Sequence, residues 1–229
     1  MVETKVSSRF FFLFCSKPCR CFGLYRNTHV NLLFRSLIRT FALPIAIYMY
    51  ISKKLRETSI SEYLLYMWQV EDLIRANGCD VDKIEHAVVA PYNLPEAQHA
   101  ELVEWYANLV EMMRLEHVEQ SGHLQINKNV IIALTDLHVR LMHSSKFPFY
   151  QAAYYQALPF IVEIRAKGGQ DKAELENCFD ALYGVWMLRL QRKEVSKETA
   201  TAVADIVKFV GMLSDYYQKE KAGELDLED

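Results

Sequence analysis

The chain has 229 residues, of which 51% are hydrophobic and 24% charged, with only eight glycines and six prolines. This length suits one medium domain or two small ones, and the composition excludes wholesale disorder. A β-sandwich or barrel with many tight turns would use more glycine and proline, so helices are favoured.

The net charge of −3 divides unevenly along the chain. Residues 1–50 hold seven basic and one acidic side chain, a net of +6, which leaves 19 basic and 28 acidic side chains, a net of −9, in residues 51–229. A body with this charge repels nucleic acid and anionic lipid. We therefore expect no nucleic-acid partner.

Residues 1–48 differ from the rest and form a basic extension rich in cysteine, arginine and phenylalanine. A secretory signal, an organellar transit peptide and a mis-assigned start, with translation beginning at Met49, are the three explanations, and the third is favoured because helical periodicity begins just after that residue. The apolar run 41–51 falls short of the roughly 20 residues of a membrane span. The spacing of Cys15, Cys19 and Cys21 fits no standard zinc site.

The first predicted helix opens at Ser59, whose hydroxyl can form a capping box with Glu62, and it ends at Asn77-Gly78, where glycine can adopt a left-handed conformation. Apolar spacing and breaker residues predict five further long helices and one short one. Their expected positions are a short helix over 81–89 before Pro91, and long helices from Pro95 to the break at Ser121-Gly122, over 127–142, around Tyr154–Val162 up to Gly168-Gly169, over 175–190, and from Ser196 to about Tyr217.

No strand pattern or hairpin turn interrupts these segments. Short connections between helices favour antiparallel neighbours. We therefore expect an all-α protein, a single helical bundle of six longer helices plus a short one. The expected domains are the extension 1–48, the helical domain 49–222 and an acidic tail 223–229.

Glu71 stands out because it occupies the row of Ile60, Leu64, Met67 and Ile74, where an apolar residue is expected. A carboxylate there is either buried and paired or lines a cavity. Arg75, one turn further on, can reach it. An ion pair at the edge of the stripe is the plainer interpretation, and a pocket near Glu71 and Arg75 is the functional one.

Other candidate sites are weaker. Glu96-x-x-His99 matches one half of a di-iron motif, but such sites need two pairs and further carboxylates, so an acid at a helix start beside an exposed histidine is the better interpretation. His138 lies on an apolar row and is expected to be a core-edge histidine with one hydrogen bond, and Asp136 points away from it. No phosphate loop, nucleophile elbow or metalloprotease motif occurs. We predict no catalytic residue, no metal ligand and no cofactor.

The aromatic side chains are plentiful and mostly lie at core spacing. Adjacent pairs cannot both face inward on a helix, so Tyr154-Tyr155 and Tyr216-Tyr217 should each leave one ring toward the rim. That arrangement favours an interaction surface.

Several segments are similar to those of an uncharacterised family of Bacteroidetes proteins known as a domain of unknown function. The resemblance covers about residues 49–224 and is carried by Ser52–Arg56, Glu62–Asn77, Gly122–Lys128, Ala157–Glu163 and Gly211–Tyr217. It implies a bacterial, cytoplasmic protein and brings no site residue with it.

The sequence thus favours a cytoplasmic helical interaction or scaffold protein without catalytic activity, bound to a protein partner or forming a homo-oligomer and having no membrane span. The alternative is a small-molecule-binding or enzymatic bundle with its pocket near Glu71 and Arg75. Cys79 and Cys178, the two thiols outside the extension, form no disulfide framework, which suits a reducing compartment.

Overall fold

A computed structural model describes residues 47–167 and 172–227. These residues form eight α-helices and no strand, which confirms the all-α prediction. The helices are α1 Ile47–Thr58, α2 Ile60–Ala76, α3 Val81–Ile84, α4 Glu96–Leu115, α5 Gln125–His143, α6 Pro148–Ala166, α7 Glu174–Leu190 and α8 Lys197–Lys221. A π-helical turn, Glu85–Val89, and a 3₁₀ turn, Ala90–Tyr92, follow α3.

Some expectations lie outside the described residues. They concern residues 1–46 of the extension with its three cysteines, and the helix end at Gly168-Gly169. Helix α1 is an addition to the six long helices and one short helix that periodicity predicted. It begins two residues before Met49.

Both ends of α2 follow the local signals in the sequence. The Ser59 hydroxyl oxygen accepts a hydrogen bond from the Glu62 amide at 3.4 Å, as a capping residue does. At the other end Gly78 has a φ of +69°. The Cys79 amide donates to the Ile74 carbonyl at 3.0 Å and closes the helix.

Helix α4 ends at Leu115, earlier than the Ser121-Gly122 break that the sequence predicts. His117 adopts a left-handed conformation with a φ of +55°. The Val118 amide then donates to the Met113 carbonyl at 2.9 Å. A histidine therefore occupies the position where glycine usually terminates a helix, and no glycine signal marked it.

The described residues divide into two compact units. The central unit holds residues 47–56 and 66–128, and the C-terminal unit holds residues 57–65 and 129–227 apart from the gap. Helices α1, α2 and α5 contribute residues to both.

In the central unit α4 packs against α3 and the π-helical turn. Several apolar side chains of this unit are completely buried: Ile74, Ile84, Val89, Tyr106, Met113 and Leu124. Their burial removes apolar surface from water, which is the main force that holds such a unit together.

In the C-terminal unit α6 packs against both α7 and α8, and α7 packs against α8. The centre of this three-helix contact is aromatic, with Tyr150, Phe179 and Phe209 fully buried. Helix α6 starts at Pro148, where the missing proline N–H costs nothing, and it continues through Pro159. From the sequence, Pro159 is expected either to kink this helix or to delay its start. The helix starts well before Pro159, so the second of these expectations is wrong.

No helix in the described part of the chain combines the length and apolar character that crossing a bilayer requires.

Candidate functional site

Glu71 lies on the buried side of α2 and none of its side chain is exposed. A carboxylate in such a place must be compensated by donors, because transferring an unpaired charge out of water is very costly. The structure supplies those donors from a single region of the central unit, the irregular segment 116–124 and the first turn of α5.

Three hydrogen bonds reach the Glu71 carboxylate. One oxygen accepts from the Leu124 amide at 3.0 Å and from Asn127 Nδ2 at 2.7 Å. The other accepts from His123 Nδ1 at 2.6 Å. The Leu124 amide and Asn127 Nδ2 are donors, and His123 Nδ1 is a donor in the tautomer that carries its proton there, so the contacts suit a carboxylate, which can only accept.

Arg75 lies one turn along α2 and completes the site. Its Nη2 is 3.9 Å from a Glu71 oxygen and its Nη1 donates to Asp72 at 2.9 Å. The guanidinium also donates to the Val118 carbonyl at 3.1 Å and to the Gly122 carbonyl. Glu71 therefore accepts from one backbone amide of the segment 116–124 and Arg75 donates to two of its carbonyls, and together they hold this segment against α2.

His123 is held on two sides. Its ring stacks on the Trp68 indole with 4.0 Å between centroids and 13° between planes, while Nδ1 bonds to Glu71. The side chain is 17% exposed.

Asn127 is fully buried, and Glu71 fixes the orientation of its amide by accepting from Nδ2. The amide oxygen, Oδ1, has no hydrogen-bond partner among the described residues. A buried acceptor of this kind is uncommon and is usually satisfied by a water or a ligand.

The sequence singled out Glu71 and Arg75, and the structure brings the two side chains together as the ion-pair interpretation requires. It also shows that a large part of their hydrogen-bonding capacity serves the fold. His123 and Asn127 were not predicted, because nothing in a single sequence links them to a residue about 50 positions earlier. A ligand pocket at these residues stays a prediction.

A second polar cluster lies in the C-terminal unit around His138. Its Nδ1 is 2.6 Å from the Tyr150 hydroxyl, and the ring contacts those of Tyr154 and Phe209. Burial lowers the pKa of His138 to about 4 and raises the pKa of Tyr150. At neutral pH the phenol therefore donates to a neutral imidazole, which confirms the prediction of a core-edge histidine with one hydrogen bond.

The other residues that the sequence singled out are not brought together into a site. Glu96 is the first residue of α4, and His99 lies 3.6 Å from Glu85 rather than in a cluster of ligands. No group of three or more potential metal-ligating side chains occurs within the ranges described. Cys79 and Cys178 are both buried and free, and burial raises the pKa of each thiol, that of Cys178 to about 12.

Helix α6 exposes apolar side chains on the face that does not pack on α7 and α8. Six of them follow one another in steps of four and three residues, and we call this set the α6 stripe: Pro148, Ala152, Tyr155, Pro159, Val162 and Ala166. Tyr155 is 61% exposed and Val162 57%. Exposure of Tyr155 beside the half-buried Tyr154 confirms the prediction for that aromatic pair.

Comparison with known proteins gives one match. The model of the family described as "Domain of unknown function (DUF4924)" matches residues 49–224, which is the range of the resemblance seen in the sequence. Searches of curated proteins and of solved structures find no match. With three quarters of its length covered by that model, this chain belongs to the DUF4924 family.

Proposed function

We propose that this protein is a cytoplasmic, non-catalytic helical interaction protein that binds another polypeptide through the α6 stripe. The observation that carries the proposal is the stripe itself, six apolar positions in unbroken steps of four and three residues with no charged residue among them. Alternating steps of four and three residues keep these positions on one side of the helix, which is the arrangement of a seam along which one helix packs against another. On a surface with scattered apolar residues such a continuous line is unexpected.

Pro159 adds support because it is costly where it stands. A proline inside a helix removes one backbone hydrogen bond and crowds the preceding turn. Its ring lies exposed in the middle of the stripe, where it has no buried core to fill. A residue that destabilises its own helix and makes no compensating contact inside the domain is more readily explained by a contact with another chain.

The cytoplasmic location is supported by the two buried thiols, which form no disulfide. The alternative function, a small-molecule site near Glu71 and Arg75, is favoured by a single atom, Asn127 Oδ1, and by the partial exposure of His123. The α6 stripe is the more extensive feature, so interaction is the function that the geometry supports best.

The test compares two valine-to-glutamate variants. Val162→Glu places a charge in the stripe and should weaken association roughly 100-fold, because the carboxylate would be buried without a partner. Val139→Glu makes the same change at a valine on α5 that is 48% exposed and outside the stripe, and should leave association unchanged. The measurement is native mass spectrometry of the full chain purified gently from its host.

A partner chain, whether a second copy or another protein, should accompany the wild type and Val139→Glu and be lost from Val162→Glu. If the wild type carries no partner chain at any protein concentration tested, or if Val162→Glu keeps its partner, the proposal is wrong. Circular dichroism on both variants establishes that each remains folded.

A further inference from the structure

We infer that the partner of the α6 stripe is a second copy of this chain, packed antiparallel about a two-fold axis. This inference rests on the proposed function, since it names the occupant of the same surface. Three features of the stripe support it: its spacing, the sizes of its side chains and the charges beside it.

The spacing of the stripe is the same in both directions along α6. Steps of four, three, four, three and four residues give an identical pattern when the helix is turned end over end. When two copies cross antiparallel with residue 157 at the centre, each stripe position meets another stripe position. A closed two-fold interface requires this kind of self-complementary patch.

Side-chain sizes agree with this pairing. Ala166 of one copy lies level with Pro148 of the other, Ala152 lies level with Val162, and Tyr155 lies level with Pro159. Each larger side chain is therefore opposite a smaller one, so the two helices can approach without large rings colliding. Small residues opposite large ones are what allow facing layers to interdigitate.

The charges beside the stripe also fit. Gln156 and Glu163 lie on the same side of α6, and Lys208 of α8 donates to the Gln156 side chain at 3.2 Å, so a cation lies beside the centre of the stripe. In an antiparallel pair these sides face each other. Glu163 of one copy and Lys208 of the other then differ in level by about five residues, or roughly 7–8 Å, which the two long side chains can span.

One pair of helices makes a small interface by the standard of stable dimers. Specific interfaces generally bury at least about 1,200 Å² in total, and a single pair of helices of this length lies at or below that value. We therefore expect a reversible dimer whose population rises with protein concentration, in place of an obligate one.

The experiment is photo-crosslinking of the full chain with p-benzoylphenylalanine introduced at Ala152 or, separately, at Val162. Each variant is mixed with uniformly ¹⁵N-labelled wild-type chain, so that a link between copies joins one light and one heavy peptide. Fragmentation of the linked peptides then locates the attached residue. The same substitution at Val139 is the control for random encounter.

The expected result is a light–heavy link from position 152 to residues around Val162 and from position 162 to residues around Ala152, with no such link from position 139. A link from 152 to residues around 152 would mean a parallel arrangement and would overturn the inference. If purified chain gives no link but the variants link to a different protein inside the host, the partner is not a second copy, while the interaction function stands. Absence of any link in either setting overturns both.

Discussion

At Glu71 the chain places a carboxylate where its own pattern calls for an apolar side chain, and the surroundings are arranged to suit the charge. Glu71→Gln keeps the shape but brings an NH₂ group toward donors, so at least one of the His123, Leu124 and Asn127 donors loses its acceptor. We expect a loss of about 2–4 kcal/mol in the free energy of unfolding, measured with urea. Hydrogen exchange of the Leu124 amide, which donates to Glu71, should quicken as well.

Glu111→Gln is the matched control, because Glu111 is an exposed residue of α4. It should change the free energy of unfolding by less than about 0.5 kcal/mol. Equal effects of the two variants would show that the hydrogen bonds at Glu71 contribute little.

His138 should make stability depend on pH in a predictable direction. Its pKa is about 4 in the folded protein and about 6.5 in the unfolded chain. Between these values the unfolded state binds the proton and the folded state does not, so stability falls as the pH decreases from about 6.5 to about 4. The ring is partly exposed, so we expect this contribution to be on the order of 1–2 kcal/mol.

Carboxylates titrate in the same range, so the measurement is a difference between proteins. His138→Gln should reduce the fall in unfolding free energy between neutral and acidic pH, whereas His143→Gln, at an exposed histidine of the same helix, should leave it unchanged. Identical pH profiles for wild type and His138→Gln would contradict the prediction.

At the scale of the element, α6 has two apolar faces, which limited what its sequence could predict. The buried face holds Tyr150, Ala153, Ala157 and Ile161, and the α6 stripe lies on another. Periodicity located the helix, yet Val162, which marks the end of its predicted apolar stretch, is exposed. Hydrophobic spacing shows that a face is apolar without showing which neighbour covers it.

Replacing Pro159 by alanine should change the stability of α6 and its association with a second chain in opposite directions. The new N–H can complete the helical hydrogen bond to the Tyr155 carbonyl, so we expect the unfolding free energy to rise by about 1–3 kcal/mol. In the antiparallel pair proposed above, association should weaken, because Tyr155 of the second copy would lose the ring it packs against. Thermal unfolding at low protein concentration reports the first effect, and sedimentation equilibrium reports the second.

Pro95→Ala is the control, since Pro95 directly precedes α4 and its missing N–H breaks no helical hydrogen bond. Its effect on both measurements should be small. A Pro159→Ala variant that is less stable than the wild type would contradict the prediction and show that the proline ring stabilises the helix.

At the scale of the whole molecule, the sequence predicted the helical class and most helices, because each long helix carries its own periodicity and many of its end signals. It placed the end of α4 too late, since His117 in a left-handed conformation leaves no recognisable signal. For the candidate site it identified Glu71 by a break in a pattern. It could not supply His123 or Asn127, whose relation to Glu71 exists only after the chain has folded.

The contacts of α2 have a consequence for how the chain is made. The Ser61 amide near the start of this helix donates to the Ser214 hydroxyl, 153 residues later, while Glu71 near its end waits for the Leu124 amide, 53 residues later. At the usual speed of a ribosome, about 5–20 residues per second, the partner of Ser61 emerges roughly 8–30 s after it. In a newly synthesised α2, water must therefore solvate the Glu71 carboxylate until Leu124 has left the ribosome, and the Ser61 amide until Ser214 of the last helix has done so.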